Sequence, residues 1–231
     1  AASSLFWQVA NFRPFMKFIG RLDLVDAANL IGARRSHPIL PDLGDEDVER
    51  VVEACASSPR ISSRDAAITL LALMTGLRAC DIIALRLADL DWRTQTVSFV
   101  QQKTKNPLTL PMPGLLAVKL ANYVLAERPD HHGEHHVFLR SVAPYTPLAD
   151  HASLYKITSD TLRKAGVTDV KAGTRLLRHA AASRLLRAAT PLPTIAAVLG
   201  HASQDSTYVY LSVDTKHLRE CVLPAPKGAR S

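Results

Sequence analysis

The sequence predicts a mainly α-helical domain with one small antiparallel sheet, an α+β arrangement, and two observations carry that expectation. First, apolar residues recur at helical spacing in most segments, as in Val48, Val51, Val52 and Cys55. Second, the stretches TQTVSFV and LTLPM alternate as strands do and are joined by the tight basic turn KTKNP. One such pair makes a hairpin beside helices, not a central parallel sheet.

The elements follow in order. Residues 3–19 (SSLFWQVANFRPFMKFI) read as a helix interrupted near Pro14, whose bulky face of Phe6, Trp7, Phe12, Phe15, Phe18 and Ile19 needs a partner. The run IGARRSHPILPD mixes Gly, Arg and Pro as linkers do, which puts a domain boundary near residue 40. Asp42 or Asp45 then caps a helix. Another starts after Ser62 and Ser63 and ends at Gly76, and a third runs from Ala79 to Leu87. Beyond the hairpin, helices are expected over 114–126, 151–165, 175–189, 192–199 and 204–211, with Pro193 in a first turn where its missing N–H costs little.

Composition restricts the function classes. Lys and Arg number 28 against 21 Asp and Glu, a net charge of +7, which favours a polyanionic partner without specifying any chemistry. The 3 cysteines, Cys55, Cys80 and Cys221, are too few and too dispersed for a disulfide framework or a zinc site. Cys55 and Cys80 fall in apolar helical patterns and are expected as small core residues. The longest apolar stretch, 66–74, is too short to cross a bilayer. No signal peptide is visible, and the chain opens at AASSLFW without Met, so the expectation is a cytoplasmic protein lacking its true N-terminus. The run HHGEHH (His131, His132, His135, His136 with Glu134) is the one segment rich in metal-binding side chains, but it lacks a second ligand set and reads as a surface loop.

Four places join basic or nucleophilic residues to turn signals. In TGLRACD, Arg78 stands at a helix junction with Asp81 three residues on, where the two can pair. Lys103 lies in the hairpin turn, where lysines also serve solubility. Arg175, Arg178 and His179 share one helical face, and two arginines converging there suit a phosphate. Finally, Gly200-His201 precedes Tyr208 and Tyr210. Those tyrosines point about 200° apart on a helix, so only one can face a common pocket.

In that order and spacing these positions resemble the catalytic domain of the tyrosine recombinase (phage integrase) family, from about Pro41 to Val213. TGLRACD is similar to its first-arginine box. Lys103, 8 residues before Pro111, matches its hairpin lysine. Arg178 matches the second arginine of the HxxR box, LGH ending at His201 matches the next box, and Tyr210, 9 residues later, matches the nucleophile. The sequence departs at Arg175, where the box usually begins with His. Arg still donates to a phosphate oxygen but cannot act as a neutral base.

The resemblance implies the recombinase catalytic-domain fold of DNA breaking and rejoining enzymes, with residues 1–40 as the last helix of a core-binding domain plus linker. It implies residues 41–213 as the catalytic domain, and 214–231 as a tail that protomers exchange. It also implies attack of Tyr210 on a DNA phosphodiester through a covalent 3′-phosphotyrosine, without cofactor or metal. Arg78 and Arg178 would hold the phosphate, Lys103 would protonate the leaving 5′-oxygen, His201 would assist, and Asp81 and Arg175 would support the site. The partner would be double-stranded DNA, bound by a homotetramer on paired sites and by no membrane. Arg34, Arg35, Lys105 and Arg184 are candidate phosphate contacts, together with Arg140, Lys156, Arg163 and Lys164. The competing functions are type IB topoisomerase-like relaxation and a DNA-binding module without catalysis.

Overall fold

The computed structural model describes residues 11–30, 43–130, 133–168, 170 and 173–200. The chain divides into two compact units, residues 1–39 and 40–231. The first contributes α1 (residues 11–18) and α2 (Leu22–Leu30). Over the described residues 11–18, helix α1 runs through Pro14 without the interruption expected from the sequence. Phe12, Phe15 and Phe18 are all more than half exposed.

In the second unit, α3 (Asp45–Ser57) begins with three acidic residues, Asp45, Glu46 and Asp47, which favour the positive end of its dipole. It buries Val48, Val51 and Cys55. Helix α4 (Ser63–Leu70) buries every residue from Ala66 to Leu70, as a helix enclosed by others does. Accordingly α3, α6 (Gly114–Asn122) and α7 (His151–Lys164) all pack on it. Its first turn is closed twice: Ser62 accepts from the Asp65 N–H at 3.2 Å, and Glu127 accepts from the N–H groups of Ser63 and Arg64. Burial drives the Cys55 thiol up to about 12 and so makes it an inert core residue, while Cys80 is half-buried.

Helices α4 and α6 both end in wider π turns, over Leu71–Thr75 and Tyr123–Glu127 respectively. The first turn leads into Gly76, whose φ of 68° stops the helix. Helix α5 (Ala79–Ala84) is shorter than the expected span to Leu87. The cause is a competing set of backbone partners. Leu85 O accepts from Val137 N–H, and Leu87 N–H donates to His135 O, both at 2.8 Å, so the chain joins the 133–137 loop instead of coiling on.

The sheet has three strands, where the sequence pattern predicted two. To β2 (Thr96–Val100) and β3 (Pro107–Pro111) is added β1 (Leu90–Asp91). All pairs are antiparallel, in the order β1-β2-β3, with Val97 opposite Leu110 and Leu90. Helices α8 (Thr174–Arg187) and α9 (Leu192–Leu199) complete the described residues, α8 packing on the π turn of α4. The expected 204–211 helix and Cys221 lie outside them. No described helix is long and apolar enough to cross a membrane.

Candidate active site

Two glycine turns, far apart in sequence, meet at the end of α4. Gly76 and Gly200 both have positive φ, 68° and 62°, and each caps an apolar helix. A methyl at Gly76 would stand 2.5 Å from Leu199 Cδ2, so the turns touch only because Gly76 carries no side chain.

Arg178 joins them. From the first turns of α8 its guanidinium reaches the Gly76 carbonyl through Nη1 at 2.5 Å and the Leu199 carbonyl through Nη2 at 2.8 Å. It is only 9% exposed. Arg78, standing two residues after Gly76, donates through Nη2 to the Gly200 carbonyl at 2.9 Å. Both guanidiniums are thus anchored on adjacent carbonyls of the turn that leads into His201. These carbonyls sit at the negative end of α9, which holds the cations there without neutralising them. Arg78 Nη1 is buried and has no hydrogen-bond partner among the described residues.

Asp81 is 1% exposed and lies 4.0 Å from Arg78 Nη1, an ion pair without a hydrogen bond. Its Oδ1 instead accepts from the backbone N–H of Gln102 at 2.8 Å. The carboxylate therefore fixes the hairpin turn one residue before Lys103, whose own side chain is exposed. Arg78, Asp81 and the Lys103 turn form one connected set, and Arg178 reaches it through the two glycine turns.

Arg175 is exposed one turn before Arg178, and its Nε donates to His179 Nε2 at 3.3 Å. Burial, then the nearby Arg175 and Arg178, lowers the His179 pKa to about 4. The imidazole is therefore neutral near pH 7 and accepts from Arg175.

Other predicted positions are not drawn in. Arg184 is exposed, about 240° around α8 from Arg178, and lines a shallow apolar groove with Leu73, Met74 and Leu185. Lys105 is exposed at the turn with φ 58°. Arg140, Lys156 and Lys164 are exposed, and Arg163 pairs with Asp160 at 2.8 Å. In the histidine-rich loop, Glu134 accepts from His136 Nδ1 at 2.6 Å, and Arg128 binds the loop carbonyls of Glu134 and His136. Arg34, Arg35, His131, His132, His201, Tyr208 and Tyr210 lie outside the described residues.

The sequence reading passed over Gln101, which is 1% exposed at the end of β2. The signal was present, because Val97, Phe99 and Gln101 alternate onto one face and the glutamine sits where an apolar residue is expected.

The phage integrase family profile matches residues 42–217. The Sinorhizobium fredii protein y4rF, named among the integrase/recombinases, is 31% identical over 226 residues, covering 95% of this chain and 53% of its own length. From the same organism y4gC, similarly named, is 35% identical over 190 residues, 81% of this chain and 97% of its own length. The tyrosine recombinase XerA of Pyrococcus furiosus is 27% identical over 214 residues, 93% of this chain and 71% of that protein. The chain spans about half the length of y4rF and y4rA, 53% and 54%. Among solved structures, the XerA recombinase crystal structure matches with a TM-score of 0.67 at 23% identity, over 96% of this chain and 75% of that one. The XerH recombinase bound to its palindromic difH substrate gives 0.69 at 21% identity, over 82% and 55%. At these identities the structural likeness establishes the fold.

Proposed function

The chain belongs to the phage integrase family, and from that premise we propose that it is the catalytic part of a site-specific DNA recombinase using Tyr210 as nucleophile. The observation that carries this reading is the anchoring of Arg78 and Arg178 on the adjacent carbonyls of Gly200 and Leu199. Two cations held at one turn, with a lysine-bearing hairpin tied to the same set, suit a phosphodiester and the charge that grows on it in the transition state.

In this reading the Tyr210 oxygen attacks phosphorus and its phenolic proton passes to solvent water. The new bond is a 3′-phosphotyrosyl ester, and the bond broken is that to the 5′-oxygen. Lys103 gives that oxygen its proton, the exposed ammonium reaching it from the turn. Arg78, whose Nη1 makes no hydrogen bond among the described residues, and Arg178 contact the nonbridging oxygens. His201 assists at the phosphate. Asp81 supports the site by fixing the Lys103 turn, and Arg175 adds positive charge at its edge. Attack by a free 5′-hydroxyl on the phosphotyrosine reverses the chemistry, so the bond energy is kept and no cofactor enters.

The substrate is double-stranded DNA, paired and held by a homotetramer. Lys105, Arg184, Arg34 and Arg35 supply phosphate contacts. Residues 1–40 belong to the preceding core-binding domain, 41–213 form the catalytic domain, and 214–231 form the exchanged tail. The names of the relatives favour recombination over topoisomerase activity.

The test is incubation with a nicked duplex whose cleaved end diffuses away, in EDTA, followed by a denaturing gel. The reading expects a covalent protein–DNA band that Arg78→Ala and Arg178→Ala both abolish. Noncovalent binding alone contradicts it, as does relaxation of supercoils without any pairing of sites.

A further inference from the structure

Strand β2 ends on a buried carboxamide. Gln101 is 1% exposed on the same inward face as Val97, where a leucine would avoid the cost of desolvating an amide. Its backbone closes the turn that carries Lys103: the N–H donates to Asn106 O at 2.9 Å, and the carbonyl accepts from Lys105 N–H at 3.0 Å. Its Oε1 accepts from the Thr104 hydroxyl at 2.5 Å, while Nε2 is buried without a hydrogen-bond partner among the described residues.

The far end of the side chain presses on the other turn of the site. A methyl at Gly200 would stand 1.9 Å from Gln101 Nε2 and 2.1 Å from Oε1. The carbonyl of that same Gly200 accepts from Arg78. Lys103 is therefore bracketed by two contacts. Gln102 N–H rests on Asp81, and the Gln101 carboxamide rests on the Gly200 peptide that also anchors Arg78.

We propose that Gln101 is a positioning residue that seats the Lys103 turn against the Leu199–Gly200 turn, so that the lysine and Arg78 address one phosphate. The proposal rests on the reading of Lys103 as the donor to the leaving oxygen. Gln101 itself touches no reacting atom. Its loss lets the turn swing, which lengthens the path from the ammonium to the 5′-oxygen and leaves the arginine contacts in place.

The experiment separates these roles by changing the leaving group. The full chain and its Gln101→Ala, Gln101→Met and Lys103→Ala variants are given a nicked duplex chosen from a randomised pool by its cleavage with the unaltered chain. The duplex is made with either the ordinary 5′-oxygen or a 5′-bridging sulfur at the scissile bond. A thiolate, with a pKa of about 8.5, departs without a proton. Both Gln101 variants should cleave the oxygen linkage on the order of 10–100-fold more slowly, part of the usual general-acid contribution. On the sulfur linkage both should return to within about threefold of the unaltered chain, as Lys103→Ala does. Gln101→Met keeps the side-chain volume, so it covers the case in which Gln101→Ala does not fold. If Lys103→Ala recovers on sulfur while the Gln101 variants stay slow, Gln101 does not act through the lysine and the proposal is overturned. Cleavage of both linkages by Gln101→Met at the unaltered rate overturns it too. If Lys103→Ala itself fails to recover, the fault lies in the assignment of Lys103, and the proposal falls with it.

Discussion

Arg178 Nη1 donates to the carbonyl of Gly76 at 2.5 Å, across 102 residues of chain. This bond closes the loop from the end of α4 to α8, and its neighbour to Leu199 ties in the end of α9. The arginine is thus a structural clasp before it meets any substrate. Lysine has one nitrogen and cannot serve two carbonyls in that planar geometry. Arg178→Lys should therefore be nearly as inactive as Arg178→Ala in single-turnover cleavage. Both are expected to fall by about 10²–10³-fold, the usual loss for one preorganised donor to a developing oxyanion.

Gly76→Ala probes the same junction from the other side. Alanine at φ 68° is strained, and its methyl would meet Leu199 Cδ2 at 2.5 Å. A stability loss of about 1–3 kcal/mol is expected, read as a lowered thermal midpoint. Cleavage should fall as well, since the carbonyl that takes Arg178 must shift. A variant as stable and active as the unaltered chain contradicts the interlocked turns.

Arg175 is exposed and donates to a neutral His179, so the contribution proposed for it is positive charge at the edge of the site. Arg175→His should keep cleavage within about tenfold of the unaltered rate, one pKa unit's worth of interaction. Single-turnover rates from pH 6 to 8 give the check, and an inactive variant would show that arginine is specifically required.

The His179 pKa also makes stability depend on pH. It lies at about 4 in the fold, below the value of about 6.5 for an unfolded imidazole. As pH falls from about 6.5 to 4 the unfolded chain takes up the proton first, and stability is lost across that window. Above it the contribution is complete. Thermal midpoints measured from pH 7.5 to 4.5 should therefore fall less steeply for His179→Gln than for the unaltered chain. Equal slopes contradict the burial of a neutral histidine.

Much of this fold was legible because burial is periodic. Val48, Val51 and Cys55 marked the inner face of α3, and Gly76 marked the end of α4, as its positive φ requires. Strand β1 could not be read, since Leu90–Asp91 is too short to alternate and exists through its pairing with Thr96 and Val97. The early end of α5 was equally hidden, being set by hydrogen bonds from Leu85 and Leu87 to a loop some 50 residues on. Within the candidate site, Arg78, Lys103 and Arg178 were picked out by their likeness, in order and spacing, to the motifs of the family, since Arg78 or Lys103 taken alone reads as an ordinary surface cation. Asp81 was expected to brace Arg78 or another site residue; it pairs with Arg78 at 4.0 Å and also accepts from the Gln102 N–H, a contact the sequence did not announce. Gln101 went unremarked because a polar residue beside a hairpin turn ordinarily faces water.

The central claim is that Tyr210, and not Tyr208, becomes joined to DNA. The direct measurement is to trap the covalent adduct on a nicked duplex, digest both polymers, and locate the nucleotide remnant by mass spectrometry. The account predicts a remnant on Tyr210 in the unaltered chain and in Tyr208→Phe, with no adduct from Tyr210→Phe. A remnant on Tyr208, or an adduct that survives Tyr210→Phe, contradicts it.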